Sequence, residues 1–368
     1  MNHFQLKIKT IMQQNYLNGQ IIARHPEPNR KNIPIFPVFM PFAGCKNRCI
    51  FCSQERQTGT AATGTMTQLE KLLRNMDEAM EQRRKAGAAP VELAFFGGTF
   101  TAIPVEWQDA CLQRARYWKE QGLVTSVRCS TRPDAISPTL LDALRAQGLE
   151  TVELGIQSFA DSALLASRRG YSADTARMAC TTVREAGLAL GVQLMPGLPG
   201  QNPQQASDDI LLAVAAQPDF VRLYPCLVFA GTPLEQLWRQ GSFVPLQTEA
   251  AIHFLAGACL HFWQHGIGVI RMGIAPEPSA LRAIAAGPFH PAMGARARAR
   301  ALFLFLRDHI EKYQAITGDH QARWELVGPV RHQGEFWGHK KEMQPEYARL
   351  GIATAKWEAR ADFVLRRK

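Results

Sequence analysis

The chain has 368 residues, of which 46% are hydrophobic and 20% are charged, and its formal net charge is +10. This composition excludes a mainly disordered or fibrous chain, and no apolar run reaches the ~20 residues that a membrane-spanning helix needs. Residues 1–10 lack the apolar core of a signal peptide, so we expect a cytoplasmic protein that makes no contact with a membrane.

Segments of strand length alternate with amphipathic segments along most of the chain. Residues 1–31 are polar and end in a proline-rich stretch, which predicts an N-terminal extension. Apolar runs bounded by turn residues predict six buried strands, at residues 33–40, 91–96, 126–130, 151–156, 189–195 and 220–224. Helical periodicity predicts the intervening helices, at residues 68–86, 105–121, 138–147, 174–186 and 203–216. The alternation indicates an α/β fold, a partial (β/α)6 parallel TIM-like barrel, with a doubly wound sheet as the alternative.

The pattern changes after the sixth predicted strand. It predicts helices at residues 232–240, 249–264 and 293–313, and a short strand at residues 268–272. We place a boundary near Pro276, so that residues 32–275 form the barrel and residues 276–368 form a basic, mostly helical C-terminal region. Residues 281–368 hold 16 Lys and Arg against 9 Asp and Glu, a net charge of +7. This excess suits contact with nucleic acid or another anion, and equally a solvated basic surface.

Three cysteines stand on one loop directly after the first predicted strand. Cys45, Cys49 and Cys52 form a C-x3-C-x2-C motif. The chain has eight cysteines, and three of them within eight residues indicate a metal or redox site rather than a disulfide framework. Such thiolates can bind three irons of a cubane cluster and leave the fourth iron open to a ligand. The alternatives are a zinc site with a fourth ligand from elsewhere, or three unrelated buried cysteines.

Further polar motifs follow the other predicted strands, at the end where the chemistry of a parallel barrel collects. Gly97, Gly98 and Thr99 follow the second strand, and the two glycines would let a ligand approach the backbone closely. Arg132, after the third strand, can bind a carboxylate with its planar fork, or it can simply face solvent. Glu153 lies in an apolar run and needs a polar partner, either a ligand or an arginine in a structural ion pair.

Together these motifs resemble those of the radical S-adenosylmethionine (radical SAM) superfamily. The resemblance implies a 4Fe-4S cluster held by Cys45, Cys49 and Cys52, with the amino and carboxylate groups of SAM on the open iron. It implies that the methionyl amine contacts the segment of Gly97, Gly98 and Thr99. The other SAM-binding residues that it implies are Ser130, Arg132, Glu153, Gln157, Arg169, Gln193 and Tyr224.

Within this superfamily, residues 33–274 look most like the radical SAM half of the Elongator catalytic subunit. The likeness rests on the segments at residues 153–159, 193–200 and 222–232. In that family an acetyltransferase domain follows, and the two domains modify wobble uridine in tRNA. Only 94 residues follow Ile274 in this sequence, whereas such a domain needs ~150, so the complete carboxymethylation chemistry is not expected here.

The resemblance implies an enzyme that reductively cleaves SAM to a 5'-deoxyadenosyl radical, which abstracts hydrogen from a substrate at the barrel mouth. One candidate substrate is a tRNA base, from the Elongator likeness and the basic C-terminal quarter. The other is a small molecule of porphyrin, cofactor or natural-product metabolism. The expected electron donor is a reductant such as flavodoxin or ferredoxin. The sequence leaves open the hydrogen abstracted, the fate of SAM, the oligomeric state and any role of Cys129 and Cys226.

Overall fold

The structure is a computed structural model that describes residues 19–28, 33–59, 61–275 and 277–368. These residues divide into two compact units. The larger unit comprises residues 33–59, 61–251, 267–275 and 277–291, and the smaller unit comprises residues 19–28, 252–266 and 292–368. Within the described ranges, no helix combines the length and the apolar character that crossing a bilayer requires.

The strands and helices are numbered along the chain. The strands are β1 (Gln20–Arg24), β2 (Ile35–Phe39), β3 (Val91–Phe96), β4 (Val124–Thr131), β5 (Thr151–Gln157), β6 (Ala189–Leu194), β7 (Phe220–Leu223), β8 (Val228–Phe229), β9 (Gly268–Met272), β10 (Ile284–Ala286), β11 (Trp324–Pro329), β12 (Ile352–Glu358) and β13 (Asp362–Arg367). The helices are α1 (Gln54–Thr58), α2 (Met66–Lys85), α3 (Val105–Glu120), α4 (Pro138–Ala146), α5 (Asp161–Ala166), α6 (Ala173–Glu185), α7 (Pro203–Ala215), α8 (Pro233–Arg239), α9 (Thr248–Gln264), α10 (Pro278–Ala283), α11 (Met293–Thr317), α12 (Gln333–Trp337) and α13 (Gln344–Arg349).

A seven-stranded parallel sheet forms the centre of the larger unit, in the order β2-β3-β4-β5-β6-β7-β9. The strands stand side by side in chain order, without the reversal that defines a doubly wound sheet. The predicted parallel partial barrel is therefore confirmed, and the short strand expected at residues 268–272 becomes its seventh member. All six residues of β3 are buried, as expected for a strand covered on both faces.

Helices α2 and α7 begin at capping boxes that the sequence encodes locally. Thr65 exchanges side-chain and backbone hydrogen bonds with Gln68, and Asn202 does the same with Gln205. The residues of α2 that are buried recur every three or four positions and are Leu69, Leu73, Met76 and Met80. The caps determine where each helix starts, and the apolar stripe determines which face packs inward.

The smaller unit contains a four-stranded mixed sheet, in the order β1-β13-β11-β12. Strand β1 comes from the segment expected to be an N-terminal extension, and it pairs antiparallel with β13, so that Ile21 lies opposite Leu365. The long helix expected at residues 293–313 is present and continues to Thr317. The largest fully buried side chains of this unit's core include Trp324, Phe336 and Phe363. The C-terminal region therefore contains a sheet besides the expected helix, and that sheet includes the N-terminal segment.

Two of the three arginines at alternate positions near the start of α11 form ion pairs inside the smaller unit. Arg296 lies 2.7 Å from Glu342. Arg298 donates from Nη1 to Glu27 Oε1 at 2.9 Å, which connects α11 to the segment that follows β1. Because these guanidinium groups already have carboxylate partners, they do not form a free phosphate-binding stripe.

Candidate active site

A cavity of about 710 Å³ in the larger unit collects the residues that the sequence motifs indicated. It is lined by Cys45, Cys49, Cys52, Gly97, Gly98, Ser130, Arg132, Glu153, Gln157, Arg169, Gln193 and Tyr224. The remaining predicted residue, Thr99, contacts this group, since its Oγ1 lies 3.2 Å from Cys45 Sγ. Residues far apart in sequence meet here because the carboxyl ends of parallel strands lie at one edge of the sheet.

The cysteine loop places three thiols beside two guanidinium groups. Cys49 Sγ lies 2.9 Å from Arg169 Nη1 and 3.9 Å from Arg132 Nη1. Burial raises the pKa of Cys45, and burial together with the neighbouring thiols raises the pKa of Cys52 to about 12. Three thiolates in so small a space need more positive charge than two arginines supply, and a bound metal centre provides it. The donor set therefore fits an iron-sulfur cluster.

The turn of Gly97 and Gly98 packs directly against the cysteine loop. The two glycines have φ values of 83° and 65°, which L side chains rarely adopt. A Cβ on Gly98 would lie 2.1 Å from the carbonyl oxygen of Ala43, and the Thr99 backbone N–H donates to the same oxygen at 2.7 Å. From the sequence we expected glycine here to admit a ligand. The structure shows that glycine at position 98 is required by the backbone of the cysteine loop itself.

Gln54 connects that loop to the glycine turn, and sequence reasoning missed it. Its Oε1 accepts hydrogen bonds from the backbone N–H of Phe42 at 2.6 Å and of Gly98 at 2.9 Å. Its own backbone N–H donates to the Cys52 sulfur and lowers the pKa of that thiol, although burial dominates. The only signal in the sequence was its position two residues after the last cysteine of the motif.

The two arginines beside Cys49 are held rigidly by other groups. Arg132 forms a two-point pair with Asp134, from Nε to Oδ1 at 2.9 Å and from Nη2 to Oδ2 at 2.8 Å. Arg169 donates from Nη2 to the Tyr171 hydroxyl at 2.8 Å. The fork of Arg132, expected from the sequence to bind a ligand carboxylate, is therefore occupied by a carboxylate of the chain, and its Nη1 faces Cys49.

A row of charges, here called the charge ladder, crosses the sheet and consists of the buried Glu92, Arg128 and Glu153 and the partly buried Arg222. Arg128 Nε donates to Glu92 Oε1 at 3.0 Å, and Arg128 Nη1 lies 3.5 Å from Glu153 Oε2. Arg222 Nη1 donates to Glu153 Oε1 at 2.9 Å. Of the two explanations left open for Glu153, the structure shows the ion pair, formed with two arginines at once.

The remaining predicted polar side chains converge on the same cavity. Gln193 Nε2 donates to Gln157 Oε1 at 3.2 Å, and Ser130 Oγ lies 3.5 Å from Glu153 Oε1. Gln157 has a φ of 68°, which is uncommon for a residue other than glycine and is found preferentially at functional sites. Burial raises the pKa of the Tyr224 hydroxyl, so this group stays neutral and can donate a hydrogen bond.

Comparison with known families agrees with this geometry. Residues 39–213 match the radical SAM superfamily, and residues 218–302 match the radical SAM C-terminal domain. The chain belongs to the radical SAM superfamily. It is accordingly a radical SAM enzyme, with a 4Fe-4S cluster and SAM as its cofactors.

Among individual proteins, this radical SAM chain is 28% identical over 274 residues to the tRNA uridine(34) acetyltransferase of Methanocaldococcus infernus, covering 65% of this chain and 51% of that protein. It is 26% identical over 219 residues to Elongator complex protein 3 of Saccharomyces cerevisiae, covering 53% of this chain and 36% of that protein. The solved archaeal Elp3 of Methanocaldococcus infernus, with its N-terminus deleted, shares the fold with a TM-score of 0.53 and 23% identity, covering 79% of this chain and 64% of that chain. The chain thus spans about half, or less, of the length of the curated relatives it matches.

Proposed function

We propose that this radical SAM enzyme modifies a base of tRNA. The observation that carries the proposal is the cysteine loop and the cavity beside it, in a chain whose relatives include tRNA uridine(34) acetyltransferases. The net charge of +7 over residues 281–368 adds the positive potential that an RNA backbone requires.

We further propose that Cys45, Cys49 and Cys52 hold the cluster and that the other predicted residues hold SAM, except Arg132, Glu153 and Arg169, whose charged groups are paired within the chain and position the site. When bound, the two cofactors supply the one-electron chemistry that removes a hydrogen atom from the substrate. Arg132 and Arg169 offset the negative charge at Cys49, to which both are directed. Their own partners keep the guanidinium groups in place, so this charge needs no rearrangement when the cofactors bind.

The other task of the chain is to place the substrate and to exclude water. Six aromatic side chains contribute to the cavity lining, namely Phe39, Phe42, Phe51, Phe96, Tyr224 and Phe229. A radical reaction needs proximity and a dry site more than acid or base catalysis, and the aromatic walls help to exclude water. The only acid or base groups that this mechanism uses are therefore those that hold the cofactors.

The enzymatic part of the proposal is tested by measuring 5'-deoxyadenosine formed from SAM under reducing, anaerobic conditions. We expect Cys45→Ala, Cys49→Ala and Cys52→Ala each to lose the visible iron-sulfur absorption and the product. Cys180→Ala is the control, because Cys180 is a buried residue of α6 and does not line the cavity. A triplet variant that keeps both a four-iron cluster and the product would contradict the ligand assignment. Wild type that forms no 5'-deoxyadenosine would point to a non-catalytic iron-sulfur module.

The tRNA part is tested by a gel shift with unfractionated tRNA at several salt concentrations. We expect binding at low salt that weakens steeply as salt rises, because binding to RNA phosphates releases counterions. The absence of binding at low salt would contradict a tRNA substrate and favour the small-molecule class.

A further inference from the structure

Arg271 is a cavity residue whose guanidinium group is only partly used by the protein. It lies on β9, lines the cavity and stands beside Arg222 of β7 in the register of the sheet. Its Nε donates to the Gly273 carbonyl at 3.2 Å, which orients the guanidinium plane. Within residues 19–28, 33–59, 61–275 and 277–368, neither Nη atom has a hydrogen-bond acceptor, and no carboxylate lies within 4.0 Å of the side chain's nitrogens.

Arg271 lies beside the charge ladder and upsets its balance of positive and negative charge. Glu92, Arg128, Glu153 and Arg222 form a balanced set of two negative and two positive side chains. Arg271 extends the row by one strand and adds a third positive charge with no matching carboxylate in the described ranges. A partly buried cation without a counter-charge is unfavourable, and an anion that enters the cavity relieves this cost.

The other arginines of the cavity are satisfied in different ways. Arg132 is paired with Asp134, and Arg169 is bonded to Tyr171 and Cys49. Arg48 is exposed, and its guanidinium lies over an aromatic ring of the same loop, 4.1 Å from the ring centroid. Arg271 therefore differs from these residues, since it combines partial burial with two Nη groups that have no protein acceptor in the described part of the chain.

The position of Arg271 assigns it to the substrate rather than to SAM. The cysteine loop follows β2 at one edge of the seven-stranded sheet, and Arg271 stands on β9 at the other edge. The proposed SAM residues come from the strands between these two edges and from the loops that follow them. Tyr224, which follows the neighbouring strand β7, interacts electrostatically with Arg271, but β9 itself carries no proposed SAM residue and leaves its part of the cavity wall to a second molecule.

We propose that Arg271 binds an oxyanion of the substrate, a phosphate or a carboxylate, through its two Nη groups. The planar fork suits two oxygens of one such group, which a lysine ammonium cannot engage in the same way. A backbone phosphate of RNA and the phosphate or carboxylate of a small molecule share this chemistry. The inference rests on the proposed function of the cavity and adds that the part of the substrate that enters the cavity carries a negative charge.

The direct test uses inorganic phosphate and the full-length, cluster-loaded protein, with binding followed by broadening of the phosphate ³¹P resonance. We expect saturable broadening with wild type and a loss of affinity of about tenfold or more in Arg271→Gln, because a hydrogen-bonded charge pair is removed. Arg74→Gln is the matched control, since it removes the same charge from an exposed position on α2. Equal phosphate affinity in Arg271→Gln and Arg74→Gln would overturn the proposal.

Two further measurements separate the site from its neighbours. SAM affinity, read from the change in the cluster's electron paramagnetic resonance spectrum, should be the same in Arg271→Gln and wild type. A loss of SAM affinity as large as the loss of phosphate affinity would overturn the assignment to substrate. Arg271→Lys keeps the charge and loses the fork, so we expect intermediate phosphate affinity. This variant also decides the question if Arg271→Gln fails to fold, and wild-type affinity in Arg271→Lys would refute two-point binding.

Filter binding of unfractionated tRNA identifies the source of the oxyanion. If the oxyanion is an RNA phosphate, Arg271→Gln should weaken tRNA binding and reduce the slope of log affinity against log salt by about one. Unchanged tRNA binding together with a lost phosphate site would support the Arg271 site with a small-molecule oxyanion. If wild type binds no tRNA, the proposed tRNA substrate fails, while the phosphate measurement still decides the role of Arg271.

Discussion

The substitution Glu153→Gln tests how much the charge ladder stabilises the fold. The Glu153 side chain is 2% exposed, and it pairs with Arg222 at 2.9 Å and with Arg128 at 3.5 Å. The substitution keeps the shape of the side chain but removes its charge, which leaves the partly buried Arg222 beside Arg271 without its carboxylate partner. Breaking a buried pair by removing one partner costs about 3–5 kcal/mol in the free energy of unfolding. At roughly 2–4 °C per kcal/mol for a unit of this size, the melting temperature should fall by roughly 6–20 °C.

The assay is anaerobic thermal and urea unfolding of the cluster-loaded protein, followed by circular dichroism. The control is Glu150→Gln, since Glu150 pairs with Lys119 while the two side chains are 41% and 42% exposed. Such an exposed pair contributes only about 0–1 kcal/mol. If the two variants unfold at the same temperature, the ladder does not stabilise the fold and the reasoning from burial is refuted.

The double variant Glu153→Gln/Arg222→Gln gives an independent check. Removing both charges eliminates the unpaired guanidinium, while Arg128 keeps Glu92 as its partner. We therefore expect the double variant to be more stable than the sum of the two single losses would give. Strict additivity of the two losses would mean that Glu153 and Arg222 do not interact energetically.

Three further outcomes follow from single contacts. Burial raises the pKa of Asp209 to about 6, so the folded state binds a proton at this carboxyl more tightly than the unfolded state does. As the pH falls from 7 to 5, protonation of Asp209 should therefore raise the free energy of unfolding by about 1 kcal/mol. Asp209→Asn should remove that gain in urea unfolding at the two pH values, and an identical pH dependence in both proteins would contradict the assignment. Gln54→Leu removes the acceptor of two backbone N–H groups, which destabilises the loop by about 1–3 kcal/mol for each group and should accelerate loss of iron. Gln54→Glu keeps the acceptor and should retain the cluster. Equal iron retention in the two variants would refute this role. Gly98→Ala should also lose the cluster because its Cβ meets the Ala43 backbone, and Gly122→Ala, where nothing lies within 4 Å of the added Cβ at a similar positive φ, is the control that should keep it.

Much of the barrel is predictable from sequence because its elements are encoded by nearby residues. The apolar run of β3 and the caps at Thr65 and Asn202 mark where those elements begin and end. The parallel topology then places every strand end at one edge, so motifs such as the one around Gln193 could be assigned to one cavity before any contact was known. The four-stranded sheet of the smaller unit was not predicted, because β1 and β13 lie at opposite ends of the chain and neither is a long apolar run.

The amino-acid sequence alone determined the order of the strands in the seven-stranded sheet and the spacing of the three cysteines on one loop, since both depend on residues close together in the chain. Only the tertiary structure decided which charges meet. Glu153 and Arg222 are 69 residues apart, and Gln54 and Gly98 are 44 residues apart. The partner of a buried side chain depends on the register of neighbouring strands and on the path of distant loops, and no local pattern encodes these. For the same reason, only the folded chain shows that Arg271 stands at the end of a charge ladder, with no carboxylate of its own among the described residues.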